Sequence, residues 1–194
     1  TVWHKENRYA GQSDIALTSH GVAQAEMLAH WAATAKLNAI WSSPLSRALL
    51  TAMPAAQAAN LPLQIDDRLT EVSFGRGEGL TRTEMQERFP REHAAFDIDP
   101  VANFLPEGED PLLAARRGII ALHELAESYG PAARILVVGH STLFRLVLCD
   151  LMGIPLSRYR VVFPNIANAS LTEIQLTPMD AALLRFNVPV SPSN

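Results

Sequence analysis

Apolar positions along the chain fall into two periods, and the period changes several times. Val22, Ala25, Leu28, Ala29 and Ala32 recur at helical spacing, which predicts a helix from about Gly21 to Ala35, with Thr18 or Ser19 as its cap. A short strand is expected at Asn38–Ser42. Ser43-Pro44 follows, a serine cap and a first-turn proline, so a second helix is expected to run to about Asn60 and stop at Pro62. Leu63–Ile65 reads as another short strand. A long helix is predicted over Pro111–Tyr129, ended by Gly130-Pro131. The continuous apolar run Arg134–Val138 has the look of a buried parallel strand. It is followed by the turn Gly139-His140-Ser141-Thr142 and a helix over Leu143–Met152. Ser170–Gln175 reads as a strand near the sheet edge. Residues 1–16 look irregular, because Gly11, Ser13 and Asp14 are turn formers. Strand and helix alternate, so the expected class is α/β: three layers, α/β/α, around a mostly parallel central sheet. Residues 76–110 break the rhythm with a charged helical stretch near Arg82–Phe89 and loops marked by Pro90, Pro100, Pro106 and Gly108. They are expected to form a small helical and loop lid inserted in a single domain spanning 1–194.

Composition narrows the function. The chain has 194 residues, 48% hydrophobic and 19% charged, which is enough apolar material for a core. No stretch reaches the ~20 uninterrupted apolar residues of a membrane span, and no secretory signal is read at the start. The net charge of −4 argues against nucleic acid as a partner. The single Cys149 lies in an apolar helical run and reads as a buried small hydrophobe. With one cysteine and no signal, a reducing cytoplasm is the expected compartment. An edge strand or an apolar helix face could support a homodimer.

Ligands of open α/β sheets collect beyond the carboxyl ends of the strands, where helix N-termini present N–H groups and a positive dipole end. Two strand-to-helix turns carry suitable residues there. One places Arg47 in a first helical turn, and the other carries His140. A guanidinium, an imidazole and two helix N-termini would make an anion site, with phosphate the best fit. Taken alone, a first-turn arginine is usually a solvated side chain, and a histidine after a strand often bonds only to a carbonyl. Glu71 stands at a strand end beside Val72 and Phe74. An apolar setting there would raise its pKa and suit it to general acid work.

Four blocks in order then resemble the histidine phosphatase superfamily, in its phosphoglycerate mutase-like branch. They are Thr1–Thr18, continuing to Gly21 and Gln24-Ala25; Ser42-Ser43-Pro44-Leu45-Ser46-Arg47-Ala48 with Thr51-Ala52; Leu69-Thr70-Glu71 with Phe74-Gly75 and Glu78-Gly79; and Val137-Val138-Gly139-His140-Ser141 with Arg145, followed by Asn168–Thr172. The resemblance implies that a histidine after the first strand attacks phosphorus. It implies that Arg47 clamps the phosphoryl oxygens, that His140 stabilises them, and that Glu71 protonates the leaving oxygen and then activates water. His4 stands at a family asparagine that helps bind phosphate. Ala10, Gly11 and the backbone at Ser141 are the further expected phosphate or substrate contacts. No metal and no cofactor is implied, and the expected ligand is a small phosphorylated metabolite, with phosphate or sulfate able to sit in the pocket.

The family's Arg-His-Gly-Glu signature would fall immediately before Thr1. The resemblance therefore implies that the nucleophile and a central first strand lie upstream, and that a sheet without them shows an open central position. True mutases of the family carry a longer lid and a Glu-Arg-His-Tyr-Gly block, where this chain has Glu71-Val72-Ser73-Phe74-Gly75. A phosphatase acting on sugar phosphates, phosphoglycerates or ribazole phosphate is therefore expected, rather than a mutase or a binding protein without catalysis. The family's Pro-Gly-Gly-Glu-Ser loop appears as Pro106-Glu107-Gly108-Glu109-Asp110. Its added acidic groups are expected to stand at the pocket mouth and disfavour highly anionic substrates. Trp3, Tyr9, Phe74 and Phe104 are candidate pocket aromatics, with core packing an equal explanation.

Overall fold

A computed structural model describes residues 1–177 and 179–190. The elements run α1 (Val2–Lys5), α2 (Ser19–Ala32), β1 (Ala39–Ser42), α3 (Ser46–Ala59), β2 (Leu63–Ile65), α4 (Arg82–Arg88), α5 (Pro90–Ile98), α6 (Pro111–Tyr129), β3 (Ile135–Val138), α7 (Ser141–Leu151), α8 (Tyr159–Val162), β4 (Ser170–Leu176) and β5 (Ala181–Pro189). Strand order is β2-β1-β3, all parallel, with Ile40 opposite both Leu63 and Leu136. β4 and β5 form a separate antiparallel ribbon. The expected α/β class with its parallel sheet is borne out.

Two helix pairs build the outer layers. α2 and α3 pack on each other, with Leu28 and Ala32 of one in a cluster with Ala52, Ala55 and Ala56 of the other. Ile40 and Leu136 of the sheet fill the same apolar cluster. α6 meets α7 through Ala114, Ala115 and Gly118 against Leu143, Leu146 and Val147. A Cβ on Gly118 would stand 2.7 Å from Val147 Cγ2, so only glycine allows this approach without a shift. Cys149 is fully buried in the cluster around α7.

Several boundaries differ from the sequence expectation, each for a local reason. Residues 1–16 are not wholly irregular, because Thr1 accepts a bond from the His4 N–H and starts the single turn α1. Ser43 does not cap α3. The helix begins at Ser46, and the Ser43 hydroxyl turns to His140 instead. Pro90 starts a helix rather than a loop, since the first helical position needs no N–H. α4 and α5 close around Leu80, Met85, Phe89, Phe96 and Leu105, with Phe74 and Tyr9 packed in. The hairpin partner β5 and the short α8 carry no strong periodicity and were not expected. No helix of the described residues is long and apolar enough to cross a membrane.

Leu143 is fully buried where α6 meets α7. Leu143→Ala should therefore cost about 2–5 kcal/mol, from lost burial plus the cavity left behind. Equilibrium urea unfolding should show a lower midpoint at unchanged slope.

Candidate active site

The carboxyl ends of β1 and β3 bring three buried polar residues together. Arg47, Glu71 and His140 are only 6%, 6% and 7% exposed. Strand β1 ends at Ser42, and the turn through Ser43-Pro44-Leu45 sets Arg47 one residue inside α3. Its guanidinium donates to the carbonyls of Ser13 (2.8 Å), Ala10 (3.1 Å) and Gly11 (2.6 Å). Those bonds use three of its five N–H donors and leave two for a ligand. Burial works against the Arg47 charge, while Glu71, Asp14 and Glu78 favour it.

Strand β3 delivers His140 in the same way. The imidazole Nε2 lies 2.7 Å from the Ser43 hydroxyl. Burial is the chief cause that lowers its pKa to about 3, with the charges of Arg47 and Arg117 adding to it. His140 is therefore a neutral imidazole at physiological pH, and Ser43 helps fix its ring.

Glu71 has no helix or strand of its own. Its carboxylate reaches the N-terminus of α7 and accepts from the N–H groups of Thr142 (3.0 Å) and Leu143 (2.9 Å). The Val72 N–H adds a third bond at 2.9 Å. Burial raises its pKa, against the pull of these donors and of Arg47. The raised pKa expected from the sequence is present, and burial is its cause.

The two helix N-termini are not open anion sites. Glu71 occupies that of α7, and the Asp14 carboxylate accepts from the Ser46 N–H at 3.0 Å at the start of α3. The expectation that both would point wholly at a ligand is corrected: carboxylates of this chain already take the Ser46, Thr142 and Leu143 N–H groups, and that of Ser141 lies outside those bonds. Positive charge at the site comes from Arg47 instead.

His4 and Thr1 also face the site, and His4 feels the charge of Arg47. Burial is the chief cause that lowers the pKa of His4, with the charge of Arg47 adding to it. With Ala10, Arg47, Glu71, His140 and Ser141 they line one end of a groove of about 580 Å³. Gly11 does not line it. Gly11 sits where a Cβ would meet the Val72 carbonyl at 2.8 Å and the Glu78 carboxylate closer still. Glu78 accepts from the N–H groups of Gln12 and Ser13 and from the Ser13 hydroxyl, which ties the 10–14 loop to the 73–78 turn. Away from the site, the groove runs between β3 and β4, and every residue of both strands lines it. The two facing strand edges pair with nothing among the described residues.

Trp3, Tyr9, Phe74 and Phe104 do not line this groove. Tyr9 and Phe74 pack edge to face at 4.9 Å in the α4–α5 cluster. Of the two added acidic residues, Asp110 caps α6 and Glu107 is exposed, and neither lines the groove; Glu109, at the family's own glutamate position, pairs with Arg117. Ser43, Glu78 and Arg117 belong to the site's framework and were not expected. Only the adjacency of Ser43 to the Arg47 turn hinted at the first.

Residues 1–189 match the histidine phosphatase superfamily (branch 1). The chain belongs to that superfamily. It is 29% identical over 186 residues to phosphoserine phosphatase 1 of Hydrogenobacter thermophilus, covering 96% of this chain and 87% of that one. It is 30% identical over 181 residues to glucosyl-3-phosphoglycerate phosphatase of Mycolicibacterium vanbaalenii, covering 90% and 79%. Its backbone matches the mycobacterial glucosyl-3-phosphoglycerate phosphatase solved with VO3 at a TM-score of 0.86 and 25% identity, covering 97% and 94%. The resemblance read from the four sequence blocks is thus borne out, as is the expectation of an enzyme of the phosphatase type.

The depressed pKa of His140 makes stability depend on pH with a definite sign. An unfolded histidine binds a proton below about pH 6.5, whereas native His140 stays neutral down to about pH 3. Its contribution is fully present above pH 6.5 and is lost as pH falls from there toward 3. The ring resonances of His140 should accordingly stay unchanged between pH 5 and 8 in NMR titration; a mid-range inflection would show the ring to be solvated.

Proposed function

We propose that this protein hydrolyses small phosphate monoesters through a phosphohistidine, and that the convergence of Arg47, His140 and Glu71 at the ends of β1 and β3 carries the reading. The two remaining Arg47 donors bind phosphoryl oxygens. Neutral His140 donates to the same oxygens as charge develops on them. His4 and the Ser141 N–H add contacts at the groove end. Ala10 and Gly11 act through their carbonyls, which orient Arg47.

The nucleophile in this reading is a histidine just upstream of Thr1. The groove between β3 and β4 supports it. Thr1 lies at the end where His140 sits, so a segment running through the groove into Thr1 would be extended and parallel to β3. It would pair with both strand edges, close one sheet and deliver its last side chains to Arg47. A ring nitrogen of that histidine forms a bond to phosphorus as the ester P–O bond breaks, and Glu71 gives its proton to the leaving oxygen. Water then attacks the phosphohistidine while Glu71 takes up a proton, and inorganic phosphate leaves. The α4–α5 segment within 76–110 serves as the lid, and its shortness suits entry of water. The cation that meets the phosphate is Arg47, so the reading calls on no metal. Phosphoserine and glucosyl-3-phosphoglycerate, in the names of the relatives, set the size and class of substrate. A reducing cytoplasm fits the buried thiol of Cys149.

Turnover of para-nitrophenyl phosphate, with trapping of acid-labile phosphate on the chain carrying its upstream segment, tests the reading. Binding of phosphate without turnover or phosphorylation by that chain would overturn it. Arg47→Ala or His140→Ala should each lower kcat by about 10²–10³-fold, as for loss of other oxyanion donors. Glu71→Gln should slow release of a poor alkyl leaving group far more than of a good aryl one, and an equal loss for both would remove its acid role.

A further inference from the structure

Glu71 lies in a stretch without regular secondary structure, between a single 3-10 turn at Asp67–Leu69 and another at Gly75–Gly77. Its backbone carbonyls have no sheet or helix partners. One side chain from α6 supplies them. Arg117 donates through Nη1 to the carbonyls of Arg68 and Thr70, both at 2.6 Å. Its Nη2 donates to the Glu71 carbonyl at 3.3 Å and to Glu109 Oε2 at 2.8 Å. Its Nε donates to Glu109 Oε1 at 2.7 Å. All five guanidinium donors are thus committed, and none faces a ligand. Glu109 in turn accepts from the Ser73 N–H at 3.4 Å, and its own N–H donates to the Ser73 carbonyl at 2.9 Å. The backbone is gripped on both sides of Glu71.

We propose that Arg117, held by Glu109, is a positioning residue of this enzyme: it fixes the backbone from Arg68 to Ser73 so that the Glu71 carboxyl meets the leaving oxygen. The proposal rests on the reading of Glu71 as the acid. It also gives a task to the acidic loop Pro106–Asp110, whose Glu109 completes the planar fork. A lysine has three rotating donors and no fork, so it cannot hold three carbonyls and a carboxylate together. Misplacing a reacting group by about 1 Å can cost about 100-fold in rate.

Arg117→Lys and Glu109→Gln, made in the full chain, test this with para-nitrophenyl phosphate and phosphoserine as probes. Both variants should lose about 10- to 100-fold in kcat on phosphoserine, little on the aryl ester, and nothing in the affinity for vanadate. Combined with Glu71→Gln, Arg117→Lys should add no further loss, because both act through one carboxyl. Equal loss on both esters, or full additivity, overturns the proposal. If Glu71→Gln itself ignores the leaving group, the acid reading falls and this one with it. If only Arg117→Lys ignores it, this proposal alone falls. A second readout needs no turnover. Amide exchange at Val72 and Leu143, the donors to the Glu71 carboxylate, should speed about tenfold in Arg117→Lys while that of Ile40 in β1 is unchanged. Unchanged exchange at Val72 and Leu143 would show that Arg117 does not hold Glu71.

Discussion

A carboxylate as deeply buried as that of Glu71 must be surrounded by donors, because a buried charge without partners costs several kcal/mol. The fold meets this demand with the first turn of α7, whose N–H groups at Thr142 and Leu143 have no partners within the helix. That single contact fixes three things at once. It caps α7, it ties the segment around Glu71 to the start of that helix, and it brings Glu71 near enough to Arg47 for each charge to favour the other. The contact must also be breakable, since a general acid has to exchange a proton. Burial supplies the opposing push toward the neutral form.

Arg47 faces the same constraint with the opposite sign. Three carbonyls of the 10–13 loop hold its guanidinium, and they stay in place because Glu78 grips the N–H side of the same loop. Gly11 permits the approach by offering no Cβ to the Val72 carbonyl. The loop, the arginine and the 73–78 turn therefore form one cooperative unit. His140 completes it without adding a charge. A protonated imidazole beside Arg47 would be repelled and poorly solvated, and the fold keeps it neutral, with one ring N–H still able to donate.

Much of this was legible in the chain. The helical spacing of Ala25, Leu28 and Ala32, the long run ending at Gly130 and the apolar strand before Gly139 gave the parallel sheet and its helices to within a few residues. Arg47 and His140 could be named because each follows a strand, where side chains collect at one edge of the sheet. Glu71 was expected at a strand end too, but it stands beyond a 3-10 turn that follows β2. What escaped was set by tertiary partners rather than by local pattern. Ser43 reads as a cap by its position before proline, yet the hydroxyl is taken by an imidazole 97 residues away. Helix N-termini read as anion sites, yet Asp14 and Glu71 take the Ser46, Thr142 and Leu143 N–H groups from segments with no periodicity. Glu109 reads as one more surface acid until Arg117, eight residues on, turns it inward.

The same comparison explains where function is written in this fold. Strand ends place the groups that touch phosphate, and such placement follows from the α/β pattern. The groups that hold them lie in the irregular stretches 10–14, 68–78 and 106–110, whose backbone polar atoms must find partners somewhere once buried. Side chains such as Arg117 and Glu78 supply those partners. Because each bonds mainly to backbone, the segments it joins can keep their path while other loop residues change. Variation in substrate can then be carried by the groove mouth and the α4–α5 segment, while Arg47, Glu71 and His140 keep one geometry.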